Sequence, residues 1–123
     1  MRPINLTTAS VADLVAYFAE LGVAEDEAEL RSAQATINRL VRRRFAVENE
    51  LKARAGDQRR QLRRYFNYPN IQVQLNAATA TLALFPAEAR RKIEEIASWK
   101  VGSHSADAGM RLSNLDRGVF KPK

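Results

Sequence analysis

The chain has 123 residues and a mass of 13.8 kDa, with 46% hydrophobic and 28% charged side chains. That size buries roughly two-thirds of the unfolded surface and supports one core, so a single domain over residues 1–123 is expected and disordered or fibrous classes are excluded. The lack of cysteine excludes disulfides, a thiol nucleophile and thiolate metal sites, and one histidine, His104, argues against a histidine-based metal or catalytic centre.

Apolar spacing is helical throughout, and no hairpin signal interrupts it. In the first helix Val11, Leu14, Val15, Phe18 and Leu21 form one stripe. Ser10 with Asp13 fits a capping box at its start, although Thr7 or Thr8 could start the helix earlier, and Gly22 reads as a left-handed stop with Val23 folding back on Phe18.

A second helix, long or kinked, is expected over residues 24–55. Leu30, Ala33, Ile37, Leu40, Val41, Val47 and Leu51 share a narrow apolar sector. Glu25, Asp26, Glu27 and Glu29 at its start and Lys52 and Arg54 at its end complement the helix dipole. Glu27–Arg31, Glu48–Lys52 and Glu50–Arg54 are spaced as i, i+4 pairs. Arg44 and Glu48 project into the apolar sector, so either they pair or the helix changes phase; the alternative is an anion-binding Arg44.

Gly56 and Asp57 end that helix and cap a third, which runs to about residue 67 and buries Leu62, Tyr65 and Phe66. Pro69 and Asn70 mark a turn, with Asn70 as the next N-cap. The fourth helix, residues 71–84, carries Ile71, Leu75, Ala78 and Leu82 on one side and Val73, Ala77, Ala80 and Leu84 on the other. A helix that is apolar nearly all round packs on several sides, so this one is placed at the centre of the molecule. Pro86 opens a fifth helix with Ile93, Ile96 and Ala97 inward and Arg90–Glu94 and Arg91–Glu95 pairs. Residues 101–105 read as a loop. A last helix over about 106–116 presents Ala108, Leu112 and Leu115 and closes at Gly118, after which the tail can tuck Phe120.

The first six residues lack an apolar core of signal-peptide length, and no sorting motif stands at the other end, so a cytoplasmic location is expected. The uncharged stretch 65–87 contains Asn67, Asn70, Gln72, Gln74 and Asn76, each costly in hydrocarbon, and reads as buried helix rather than membrane span.

Leu62 and Phe66, then Pro69-Asn70, then Val73, Ala77, Ala78, Ala80 and Leu82 resemble one HEAT-type repeat. At whole-chain level the sequence is similar to a small bacterial family known as a domain of unknown function. The segments that carry this include Leu14-Val15 through Phe18-Ala19-Glu20-Leu21-Gly22, Asn38-Arg39-Leu40, Glu48 through Glu50-Leu51-Lys52, and Gly56-Asp57-Gln58-Arg59-Arg60. The run 68–82 and Asp107-Ala108-Gly109-Met110 through Gly118-Val119-Phe120-Lys121-Pro122 complete it. The resemblance implies an all-α fold of about six helices in antiparallel hairpins, a HEAT/armadillo-like right-handed superhelical stack. It implies no activity.

Ser103, His104, Ser105 and Asp107 hold the side-chain types of a hydrolytic triad. Residues so close in sequence rarely reach triad geometry, and no nucleophile elbow accompanies them. They read as a polar loop in which Ser103 or Ser105 caps the last helix. Glu25, Asp26, Glu27 and Glu29 lack the spacing of a calcium loop and read as a solvated helix start. No catalytic residue, metal or cofactor is expected.

Charge is uneven along the chain: residues 1–38 carry a net −4, residues 39–64 a net +7 and residues 65–123 a net +3. The basic stretch holds the candidate binding residues, Arg39, Arg42, Arg43, Arg59, Arg60, Arg63 and Arg64, with Tyr65 or Tyr68 at their border. Arginine suits bidentate carboxylate or phosphate contacts. The cluster reads as a solvated face, as a contact for an acidic protein surface, or as a grip on a nucleic-acid backbone. The function expected from these features is a non-enzymatic binding or scaffold module, adaptor- or immunity-like, acting on another protein; nucleic-acid backbone binding through residues 39–64 is the alternative.

Overall fold

Ser10 starts the first helix as its sequence predicts. In the computed structural model, which describes residues 4–100 and 102–123, its Oγ accepts the Asp13 amide at 3.1 Å and opens α1 (Val11–Leu30). Among the described residues every regular element is helical: α1, α2 (Gln34–Ala53), a 3₁₀ helix (Gln58–Asn67), α3 (Ile71–Ala80), α4 (Pro86–Ser98) and α5 (Gly102–Asp116). The fold class is all-α. The chain divides into two compact units, Met1–Gln61 and Leu62–Lys123, with the division inside the 3₁₀ helix.

In the first unit α1 and α2 pack as an antiparallel hairpin. Leu14, Phe18, Leu21 and Ala28 of α1 and Leu40, Val47 and Leu51 of α2 are buried. The polar contacts fix the direction. Arg54, at the end of α2, donates to the carbonyls of Leu6 and Ala9 ahead of α1 while pairing with Glu50 at 2.7 Å; Arg44, mid-helix, meets Glu25 late in α1.

Gly22 does not stop α1. It is buried, and the helix runs eight residues further because the inward stripe continues through Glu25 and Ala28. Glycine within a helix costs about 1 kcal/mol, less than the burial gained by continuing. The break falls instead at residues 31–33, where Ser32 takes a left-handed φ of 52°. Residues 24–55 are therefore parts of two helices, and Leu30, expected in the core, is 86% exposed at the turn. Gly56 (φ 80°) and Asp57 (φ 51°) end α2, and the Asp57 side chain accepts the Arg59 amide to start the 3₁₀ helix.

In the second unit Leu62 and Phe66 of the 3₁₀ helix are buried, whereas Tyr65 is half-buried and meets Tyr68 edge to face with centroids 5.2 Å apart. Asn70 Oδ1 accepts the Val73 amide at 3.1 Å and caps α3. Val73, Leu75, Asn76, Ala77, Ala78 and Ala80 bury α3 on every side, and it packs against α4 and α5. It ends four residues earlier than expected because Thr81 turns its hydroxyl back to the Ala77 carbonyl at 2.8 Å and the chain tightens into Pro86. Leu82 stays buried beyond the helix end.

α4 and α5 are antiparallel: Arg90 near the start of α4 pairs with Asp116 at the end of α5, and Ser105 near the start of α5 bonds the Ala97 carbonyl. Arg90–Glu94 forms at 3.2 Å as spaced, but Glu95 pairs with Lys92 rather than Arg91. Residues 102–105, expected in a loop, are helical; Val101 lies outside the described residues. Gly118 (φ 71°) closes α5, and the amides of Val119 and Phe120 return to the Asn114 carbonyl. Phe120 is not tucked away but 39% exposed.

Candidate functional site

Helical spacing of 39, 42 and 43 places three guanidinium groups on one turn of α2. Facing them across the hairpin, Tyr17 and Leu21 stand one turn apart on α1. Together with Leu40 and Ala46 these side chains line an open groove of about 520 Å³ in the first unit. Arg39 and Arg42 are exposed, and among the described residues neither makes a hydrogen bond or ion pair.

Arg43 is different. Its Nε donates to Tyr17 Oη at 3.1 Å, Nη2 donates to the Ile4 carbonyl, and the guanidinium carbon stands 5.6 Å from the Tyr17 ring centroid. Tyr17 thus holds Arg43 in one orientation through its ring and its hydroxyl. Tyr17 belongs to no motif or charge cluster in the sequence. Its position between Leu14 and Leu21, three and four residues away on the buried stripe, is the signal that marks it.

The other candidate arginines are placed as follows. Arg59 is buried and chelated by Asp57, with Nε–Oδ1 at 2.9 Å and Nη2–Oδ2 at 2.7 Å. Arg60 is exposed but donates to the Gly56 and Asp57 carbonyls. Arg63 and Arg64 belong to the second unit, where Arg63 pairs with Glu88 at 2.8 Å and stacks over Phe85 at 4.9 Å, and Arg64 is exposed. The seven arginines therefore divide between the two units, and only Arg39, Arg42 and Arg43 line the groove.

Arg44 and Glu48 pair as expected, at 3.0 Å, and a third member completes the group. Glu25, expected on a solvated helix start, is buried and accepts from Arg44 Nε at 2.8 Å. With Arg44 Cζ 5.0 Å from the Phe45 ring, this guanidinium is held by two carboxylates and an aromatic face. Glu48 also lies within electrostatic reach of Arg59. The network ties α1, α2 and the start of the 3₁₀ helix together.

Hydrogen bonding from Arg59, with its positive charge, holds the Asp57 carboxyl below its ordinary value, against a smaller opposing effect of burial. A carboxyl depressed in the folded state stabilises the protein above its unfolded-state pKa and loses that contribution as pH falls through the folded-state value. Acid titration of unfolding free energy is expected to show this loss beginning near pH 4 and continuing below it. In Asp57→Asn the acid limb is expected to be flatter, with lower stability at neutral pH; a limb unchanged by the substitution contradicts the linkage.

Of Ser103, His104, Ser105 and Asp107, the serine at 105 and the aspartate are engaged outside any triad-like group. Ser105 lies inside α5 rather than capping it, and its hydroxyl bridges the Ala97 carbonyl and the Lys100 amide. Asp107 is taken by Arg111 at 2.9 Å, and Arg111 reaches on to Thr79 Oγ1 of α3 at 2.9 Å. No group of three acidic or histidine side chains among the described residues is placed to hold a metal ion. None of their helices is long and apolar enough to cross a membrane.

The profile of the family described as "Domain of unknown function (DUF2019)" matches residues 12–116. The chain is similar to the protein RPA1889 from Rhodopseudomonas palustris CGA009, whose crystal structure has been solved. The two share 45% sequence identity and a TM-score of 0.91 over 98% of this chain and 100% of the other. No protein of curated function matches.

Proposed function

The chain belongs to the DUF2019 family, and from that premise we propose that it is a non-enzymatic bacterial, cytoplasmic binding module that engages an acidic surface of another protein. The observation that carries the reading is a pair of exposed arginines, Arg39 and Arg42, without partners among the described residues and beside an anchored Arg43. Three cations on one helical turn repel one another, and an acidic partner relieves that repulsion. Arginine and tyrosine are also the side chains that carry most binding energy at protein interfaces. The helical hairpins suit an adaptor- or immunity-like scaffold of HEAT/armadillo character, in which a stable helical surface presents the contact residues. Fold supplies the platform and the groove supplies the chemistry.

Affinity purification from native bacterial extract tests this reading. Wild-type bait is expected to retain a stoichiometric protein partner after nuclease treatment, and the Arg39→Glu/Arg42→Glu bait to lose it. Retention of the same partner by that variant overturns the reading. Release of everything bound by nuclease, with steep loss of oligonucleotide retardation between low and physiological salt, assigns the arginines to a nucleic-acid backbone instead.

A further inference from the structure

We infer that the groove between α1 and α2 receives one short acidic segment of the partner, bearing an apolar side chain between its carboxylates; this rests on the acidic-partner reading and names its contact. The chemistry of the lining dictates it. Arg39, Arg42 and Arg43 form a cationic rim, and no acidic side chain lines the groove. The half-exposed Ala46 and the edge of Leu40 supply apolar surface beside that rim. A cavity of about 520 Å³ has the volume of a few side chains rather than of a whole helix.

The rim has two kinds of cation. Arg43 spends Nε and Nη2 on Tyr17 and Ile4, so it is set in place before anything binds. Among the described residues nothing takes the donors of Arg39 and Arg42, which can close on carboxylates in the bidentate manner. A preset cation lowers the ordering cost of the first contact, and mobile ones adapt to the second.

A nucleic-acid strand is served less well. The aromatic ring of the groove, Tyr17, is buried under Arg43 and presents no open face for a base to stack on. Apolar surface beside the rim likewise gives a phosphodiester backbone nothing to bury. Carboxylates flanking a leucine-sized side chain match both parts of the lining.

The test uses the full chain and fluorescence anisotropy. The probe is a short labelled peptide of aspartates and glutamates around one central leucine. Its controls replace that leucine by serine or replace the peptide by an oligothymidylate of equal charge. The leucine peptide is expected to bind at least about tenfold more tightly than either control, since burying a leucine side chain contributes that much or more. Arg42→Glu and Ala46→Glu, both on exposed or half-exposed positions of α2, are expected to lower its affinity about tenfold or more with helical circular dichroism unchanged. Equal binding of the leucine and serine peptides, or tighter binding of the oligothymidylate, overturns the inference. If the Arg39→Glu/Arg42→Glu bait loses its partner while the peptides are not discriminated, this inference falls and the acidic-partner reading stands. Clear peptide discrimination with partner capture unaffected by those substitutions overturns the wider reading instead.

Discussion

Arg44→Met is expected to destabilise the protein by about 3–5 kcal/mol, read as the shift in urea-unfolding free energy. The guanidinium is 6% exposed and stands between Glu25 at 2.8 Å and Glu48 at 3.0 Å. Each contact is worth about 4 kcal/mol of Coulomb energy at the effective dielectric of protein sites, and most of that offsets the desolvation of the three groups. Removing the cation alone leaves the desolvation in place while two carboxylates face each other without their shared partner. The expected relief is equally specific. Arg44→Met combined with Glu25→Leu and Glu48→Gln recovers most of the loss, because no charge then remains stranded. A single-variant cost below about 1 kcal/mol would place the network in water and contradict its burial.

The same network shows why some of the fold was legible in the sequence and some was not. Helix starts were legible where one side chain makes the bond: Ser10 to Asp13 and Asn70 to Val73 are short-range contacts that spacing alone specifies. Pro86 likewise marks its helix by geometry internal to the residue. The end of α1 was not legible, because Gly22 offers a stop that the chain declines once Glu25 finds Arg44 nineteen residues on. Nothing local in Glu25-Asp26-Glu27 distinguishes the buried member from its neighbours. Ser32, without glycine or proline nearby, takes the left-handed turn because two packed helices demand it.

The candidate site divides in the same way. That Arg39, Arg42 and Arg43 share a helical face follows from their spacing, and so does their lack of partners within α2. The positions three and four residues away hold alanine, asparagine, threonine, phenylalanine, valine, leucine or another arginine, never a carboxylate. The sequence therefore contained the freedom of Arg39 and Arg42 as well as their charge. What it did not contain is the fate of the rest. Arg59 closes on Asp57 only because the left-handed Gly56-Asp57 turn folds the two together, and Arg63 finds Glu88 across a helix boundary. Tyr17 becomes the anchor of Arg43 through the hairpin, a contact 26 residues apart.

Leu75→Ala is expected to cost about 2–5 kcal/mol, because the site is fully buried and a cavity there has little room to collapse. α3 is enclosed on all its faces: Val73, Leu75, Asn76, Ala77 and Ala78 have no solvent exposure. The opposite substitution makes the sharper test. Ala78→Leu adds three carbons at a position with no solvent exposure, and overpacking of this kind costs about 1–3 kcal/mol. A helix lying along a wet surface responds differently, since leucine is nearly as good a helix former as alanine and the exchange there is almost neutral. Both losses should appear in urea unfolding and in weakened hydrogen-exchange protection of α3 amides. Loss in Leu75→Ala without loss in Ala78→Leu would mean that α3 is packed on one side only, and the close packing of its alanine side would have to be given up.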